Sequence, residues 1–469
     1  MIPMTLQEIA EYTQGEVMNA SEQGVQNKIT GVSTDTRAIN AEDLFIALVG
    51  PQFNAHHFVD VAAEKGASAL LVSEKVETEL PYVLVEDTKK ALGDLGAAVK
   101  RQVMPKTVGI TGSSGKTTVK EMVASILSRR GKVLATKGNF NNDIGVPLTL
   151  LRLEADHEFA VVEMGANHLG EIAYTTNLVK PNVATIVNAA AAHLEGFGSL
   201  LGVARAKSEI FKGIDEDGVA LINADSQFAE FWRGKLRYNN VVSFGENEAD
   251  FYATDVELDM DGCPQFMLNT PQGRAFVTLT TPGIHNVSNA LCAAALCLNV
   301  GATLEDVQLG LSSMPIVAGR LNIKHFSSQV RVLDDTYNAN VASVQAATDL
   351  LATYPGRRIL ILGDMGELGE KSRFYHQKAG EYALEKGIDN LLTLGVLSQS
   401  ASDCFGDCGE HFNEVDALVE YLENSLVGES RDISILVKGS RSARMERVVK
   451  AIEVSPVGKL ERFRGRIAC

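Results

Sequence analysis

The stretch "VGITGSSGKTTVKEMVASIL", Val108–Leu127, decides the fold. It opens as an apolar strand and turns through Gly112, Ser113, Ser114 and Gly115. Val119, Met122, Val123, Ile126 and Leu127 then follow helical spacing. Glycines let such a turn aim its N–H groups at an anion, and the helix N-terminus adds partial positive charge. Lys116 is placed to reach terminal phosphates, and Thr117 to hold Mg²⁺. The pattern departs from G-x₄-G-K-[ST]: its first glycine would fall at Ile110, whereas glycines stand at Gly109 and Gly112. The strand–turn–helix context still predicts a nucleotide site over Gly112, Ser113, Ser114, Gly115, Lys116, Thr117 and Thr118. The alternative is a glycine-rich turn with a surface lysine.

Around this loop the strand-like runs "TVGIT", "KVLAT", "FAVVEM" and "VATIVN" are apolar on both faces, as in a buried parallel sheet. They alternate with helical patterns, so residues 85–314 are expected to form a doubly wound α/β domain, with a β-rich section from Asp250 to Thr280. Residues 1–84 read as a smaller α/β unit, with strands in "LFIALVG" and "ASALLVS" and a helix ended by Gly66. After "MPIVAGRLN" the alternation restarts, which predicts a second, Rossmann-like domain over residues 315–469. The fold class is therefore α/β in three domains. The segments 85–105 and 313–320 are the candidate hinges.

The chain has 469 residues, 45% hydrophobic and 22% charged, so sizeable cores are expected. A net charge of −16 argues against a broad nucleic-acid or anionic-membrane surface. Cys404 and Cys408 lack a second ligand pair, so zinc is not expected. Cys292 and Cys297 lie in an apolar run and read as buried thiols. The N-terminal stretch shows no signal-peptide pattern and no run is long enough to span a membrane, so the expected location is cytoplasmic.

Glu163 ends "FAVVE" and His193 follows "VATIVN", both at carboxyl ends of strands, where open α/β sheets place ligands. A carboxylate and an imidazole beside a nucleotide suit a metal; a helix cap and a polar turn are the bland alternatives. Lys207 in "ARAKSEIF" reads on its own as a solvated lysine. His285 and Asn286 could cap the following helix, and Asn289 could face solvent on it.

The motifs "GITGSSGKTT", "VVEMGANHLGEI", "AAAHLEGFGS", "ARAKSEIF", "GIHNVSNAL", "GRLN", "DDTYNANVAS", "LGDMGELG" and "VKGSRSARME" occur in one order across most of the chain. In this the chain resembles the Mur ligases, ATP-dependent amide ligases of peptidoglycan synthesis. "STDTR" with "DLFIALVG", "KGNFNNDIGVPLTLL" and "DDTYNANV" resemble the member that joins D-alanyl-D-alanine to UDP-N-acetylmuramoyl-tripeptide.

The resemblance implies that ATP and Mg²⁺ are used and that an acyl phosphate is formed. Lys116, Thr117 and the loop backbone would hold the phosphates and one Mg²⁺. Glu163 and His193 would hold a second, joined by Lys207 if it is carbamylated. Asn286, Arg320 and Asp335 would contact the nucleotide. Ser33, Thr34, Asp35, Thr36 and Arg37 would take the UDP-sugar. Asn141, Asn142, Asn338, Lys438, Ser440 and Arg441 would meet substrate. No nucleic acid and no membrane insertion are expected, and a monomer is. Two positions depart from the family pattern: Val341 where many relatives carry proline, and Asn54 in an acidic position. The competing readings are a sister ligase or folate enzyme, a phosphate-loop switch or kinase, and a silent UDP-sugar binder.

Overall fold

The computed structural model describes residues 1–190, 194–236, 240–246 and 249–461. The N-terminal unit is a five-stranded sheet in the order Glu16–Met18, Tyr82–Leu84, Ala69–Val72, Asp43–Ile46, Gly31–Ser33. It is parallel except for its first strand. Alternation along these strands divides the side chains between two cores. Leu44, Ile46 and Leu71 face the helix Thr88–Val103, whereas Phe45, Leu70 and Val72 face Val59 and Ala62.

Helix Thr88–Val103 is capped by Asp87, whose Oδ1 accepts from the N–H groups of Lys89 (2.8 Å) and Lys90 (3.0 Å). Leu92, Leu95 and Val99 extend the N-terminal core, and the same continuous cluster runs on to Leu150, Met164 and Ile186. A Cβ at Gly96 would stand 3.0 Å from the Pro147 carbonyl oxygen. The helix is thus packed on both units, and residues 88–103 offer no soft segment. The hinge expected at 85–105 is instead a buried strut.

The central sheet has six parallel strands in the order Lys132–Ala135, His157–Glu163, Lys106–Thr111, Val183–Ile186, Val219–Asn223, Asn240–Phe244. Lys106–Thr111 lies between strands reached in opposite directions, so its carboxyl end is a topological switch point. The phosphate-loop helix Lys116–Leu127 packs on His285–Asn299, whose Cys292 and Cys297 are fully buried. Helix Leu304–Ser312 crosses it so closely that a Cβ at Gly310 would lie 2.5 Å from Ile126 Cα. The β-rich section is an antiparallel meander of Tyr252–Leu258, Pro264–Thr270 and Gly273–Thr278.

The C-terminal sheet runs Asn322–His325, Val330–Asp335, Ile433–Lys438, Arg357–Gly363, Asn390–Leu394, Gly409–Phe412, with only the first strand antiparallel. In this register Asp335 stands opposite Lys438 at adjacent carboxyl ends. The domain grips the meander's first turn: Tyr354 Oη donates to the Asp261 carbonyl at 2.7 Å, and His325 lies 3.3 Å from the Asp261 carboxylate. Among the described residues no helix is long and apolar enough to cross a membrane.

Candidate functional site

A cleft of 730 Å³ opens at the switch point, lined by the phosphate loop on one side and by Arg320, Asp335, Asn338, Asn340, Glu367 and Lys438 on the other. The loop is tied down before any phosphate arrives. Asn188, at the end of the neighbouring strand, accepts on Oδ1 from the N–H groups of Ser113 (3.1 Å) and Ser114 (2.9 Å). Its Nδ2 donates to the Ser114 carbonyl (3.1 Å) and hydroxyl (3.0 Å). Gly115 enters the helix at φ +76°, and a Cβ there would meet Asn289 Oδ1 at 2.7 Å, so glycine is required on both counts.

Two lysines converge on one carbonyl. Lys116 Nζ donates to Gly112 O at 2.8 Å and Lys207 Nζ to the same oxygen at 3.0 Å. Lys207 is 2% exposed at the end of helix Leu200–Lys207, so the reading of a solvated lysine does not hold. Burial holds its ammonium well below the ordinary lysine range. The charge of Lys116 adds to this, and Glu163 opposes it. Lys116 is lowered as well, by burial first, with Glu163 opposing.

Glu163 is buried at its strand end, where Oε2 accepts from Thr117 Oγ1 at 3.1 Å and Oε1 from Asn141 Nδ2 at 2.8 Å. Thr117 Oγ1 also accepts from Arg320 Nη2 at 3.2 Å, across the domain boundary. The Arg320 guanidinium stacks over Tyr337, 4.3 Å from the ring centroid. The converging oxygens of Thr117 and Glu163 are the hard donors that Mg²⁺ takes. His193 lies outside the described residues.

Asn286 and Asn289 are both buried. Asn289 donates to Asn286 Oδ1 (2.8 Å), and Asn286 donates to the Pro282 carbonyl (2.7 Å). Asn289 therefore does not face solvent; it backs Gly115. Asn142 lines the cleft, and its Oδ1 accepts from the Gly145 N–H at 2.8 Å. Asp335 Oδ2 pairs with Lys438 Nζ at 2.5 Å, and Lys438 also donates to the Asn338 carbonyl at 2.9 Å. Burial lowers the Lys438 pKa, and Asp335 opposes that. Asn340 bonds the Ser113 carbonyl through Nδ2 (3.3 Å) and caps helix Val341–Thr353. Val341 is the first residue of that helix, where proline is favoured but not required.

Two sets of expected substrate residues lie apart from the cleft lining. Ser33, Thr34, Asp35, Thr36 and Arg37 leave the edge strand of the N-terminal sheet. Asp35 caps the turn Thr36–Ala38 and pairs with the exposed Arg37 at 2.7 Å, which holds its carboxyl down at about 2. In the C-terminal domain Ser440 Oγ accepts from the Gly366 N–H at 2.6 Å, and Arg441 is exposed beside Glu446. Asn54 Oδ1 accepts from His56 N–H at 3.0 Å, so the amide serves as a turn cap.

Sequence reading missed Asn188, Tyr337, Asn340 and Glu367. Asn188 carried a usable signal, a polar residue closing an apolar parallel strand at its carboxyl end.

Residues 110–297 match the Mur ligase middle domain, and residues 319–441 match the Mur ligase, glutamate ligase domain. The chain is 48% identical to the UDP-N-acetylmuramoyl-tripeptide–D-alanyl-D-alanine ligase of Escherichia coli, over 97% of this chain and 99% of that one. Among solved structures it is similar to MurF from Acinetobacter baumannii, with TM-score 0.91 and 38% identity over 97% of this chain and 99% of that one. It is also similar to the MurF ligase of Thermotoga maritima in complex with ADP, with TM-score 0.81 and 27% identity over 92% and 98% of the two chains.

Proposed function

The chain belongs to the Mur ligase family, and from that premise we propose that it is an ATP-dependent, ADP-forming ligase of peptidoglycan synthesis. It joins D-alanyl-D-alanine to UDP-N-acetylmuramoyl-tripeptide, giving the pentapeptide, ADP and phosphate. The observation that carries this is full-length similarity to ligases of that name, together with a cleft in which a phosphate loop faces a second domain.

An ionised carboxylate is a poor acylating agent, and transfer of the γ-phosphoryl group from ATP makes it an acyl phosphate. The first step brings a carboxylate to a polyphosphate, so charge crowds there. Lys116 and Arg320 offset that repulsion, and the uncapped N-terminus of helix Lys116–Leu127 would orient the phosphates. Thr117 and Glu163 would hold Mg²⁺, with His193 and a carbamylated Lys207 as further ligands; bound metal would supply charge neutralisation and alignment. The depressed pKa of Lys207 favours the neutral amine that reacts with CO₂. Asn286, Arg320 and Asp335 would meet the nucleotide, with Asp335 already fixed by Lys438. Ser33–Arg37 would take the UDP-sugar; Asn141, Asn142, Asn338, Lys438, Ser440 and Arg441 would line the path of the reacting peptides.

Three units suit this chemistry: residues 1–84 for the UDP handle, 85–314 for ATP, and 315–469 for the dipeptide. Binding energy from the UDP end positions the reacting carboxylate. The acyl phosphate must be kept from water, and the seam made by Arg320, Asn340 and the meander turn would close over it. The protein would act in the cytoplasm as a monomer. Phosphate release from ATP with Mg²⁺, measured with the UDP-tripeptide and D-alanyl-D-alanine singly and together, tests the proposal. Release that requires both, with a pentapeptide product by mass, is expected. Release indifferent to the dipeptide, or dependent on a free amino acid, would favour a switch or a sister ligase.

A further inference from the structure

Resting on that ligase reading, we propose that Lys120 is a positioning residue, which acts through Thr136 to hold Glu163 in place for the metal. Lys120 lies on the phosphate-loop helix, behind the cleft wall and 2% exposed. Its helix neighbours Val119, Met122 and Val123 belong to the apolar core. A buried ammonium is costly unless acceptors take up its protons. Two do so here, the Thr136 carbonyl at 2.7 Å and Glu121 Oε1 at 2.7 Å. An apolar side chain of the same length would fill the space without that cost. What the ammonium adds is a hold on Thr136.

Thr136 stands where regular strand pairing stops. Strand Lys132–Ala135 ends one residue before it, beside strand His157–Glu163. The Thr136 N–H donates to the Val161 carbonyl at 3.1 Å. Its hydroxyl then does what a backbone carbonyl does within a ladder, and accepts from the Glu163 N–H at 3.0 Å. Its own carbonyl is the one that Lys120 takes. Lys120 follows Thr117 by three residues, which places both on one side of the helix. Thr117 bonds the Glu163 carboxylate at 3.1 Å. One helix therefore holds Glu163 at both ends, the carboxylate through Thr117 and the backbone through Lys120 and Thr136. The chain after Thr136 closes the same circuit. The Gly165 N–H donates to the Asn141 carbonyl at 2.7 Å, and Asn141 Nδ2 donates to Glu163 Oε1 at 2.8 Å. Partners behind a metal ligand set its direction, and their loss weakens metal binding by roughly 10- to 100-fold.

The test uses the full-length enzyme and titrates a non-hydrolysable ATP analogue by calorimetry, once with Mg²⁺ and once with a chelator, so it does not depend on turnover. Lys120→Met keeps the length and removes the donor. Thr136→Val keeps the shape and the carbonyl and removes the hydroxyl. In each variant the Kd with Mg²⁺ is expected to rise about tenfold. The Kd without metal should stay at the parent value, which also shows that the phosphate loop is folded. The double variant should be no weaker than the worse single one, because both changes cut one chain of contacts. Thr136→Ser, which keeps the hydroxyl, should bind as the parent does, and Lys120→Arg, which keeps a donor, should recover part of the loss. An unchanged Kd with Mg²⁺ in either single variant would overturn the proposal. So would an equal loss with and without metal, which would make Lys120 a support of the loop as a whole, or losses that multiply in the double variant. A parent enzyme whose affinity for the analogue ignores Mg²⁺ would instead sink the metal site of the ligase reading beneath it.

Discussion

Replacing Asn188 by alanine should weaken nucleotide binding without touching the UDP-substrate site. Asn188 makes four side-chain hydrogen bonds to the phosphate loop, at 2.9–3.1 Å. In Asn188→Ala the Ser113 N–H keeps the backbone carbonyl of residue 188 at 3.1 Å. The Ser114 N–H loses its acceptor, and the Ser114 carbonyl and hydroxyl lose their donor. At about 1 kcal/mol per neutral hydrogen bond, holding the loop in its binding shape becomes about 2–3 kcal/mol harder. If ATP binds only the ordered loop, that cost appears as a Kd raised about 30- to 150-fold. Titration calorimetry with a non-hydrolysable ATP analogue reads it directly, with UDP-tripeptide binding as the internal control. Asn188→Asp keeps the oxygen that accepts from Ser113 and Ser114 but loses the Nδ2 donor and sets an anion beside the polyphosphate, and should bind no better than the alanine variant. Parent-like affinity in Asn188→Ala would refute the reasoning, because the loop would then hold itself.

Carbamylation of Lys207 should make activity fall in CO₂-depleted buffer and recover with bicarbonate. Intact mass of the active enzyme should show one added CO₂, lost in an impaired Lys207→Ala variant that short carboxylic acids partly rescue. An unmodified Lys207 in active enzyme would remove that role. Asp335→Asn leaves the buried Lys438 ammonium without its counter-charge and should cost the C-terminal domain about 3 kcal/mol in urea unfolding. Restoration of stability by Lys438→Met in the same chain would support that cause. His376 is fully buried, accepts from the Met365 N–H and is lowered in pKa by burial. Below about pH 6.5 the unfolded chain takes up a proton that the folded one refuses, so stability should fall as pH drops through that value. Urea melts at about pH 7 and 5.5 should show less of this dependence in His376→Gln.

What could be read from the sequence was what periodicity and punctuation encode. The strand ending at Thr111, the turn through Gly115 and the helical spacing from Val119 to Leu127 fixed the phosphate loop and, by repetition, the parallel central sheet. The second Rossmann-like unit followed from the same alternation. Relations between distant segments were not legible. Lys207 reads as solvated because nothing local shows that its helix end lies under Gly112, 95 residues earlier. Asp335 and Lys438 were assigned separate ligands, yet sheet register places them face to face across 103 residues. Residues 88–103 looked like a linker because a helix pattern does not reveal that both of its sides are covered. Glu367 sits in "GDMGELG" as an ordinary surface acid until the backbone turns left-handed there.

The central claim is that phosphate leaves carrying an oxygen from the substrate carboxylate. UDP-tripeptide labelled with heavy oxygen in its terminal carboxylate, turned over with ATP and D-alanyl-D-alanine, should deliver label to the released phosphate, as seen by mass spectrometry. Unlabelled phosphate formed alongside authentic pentapeptide would contradict the acyl-phosphate account.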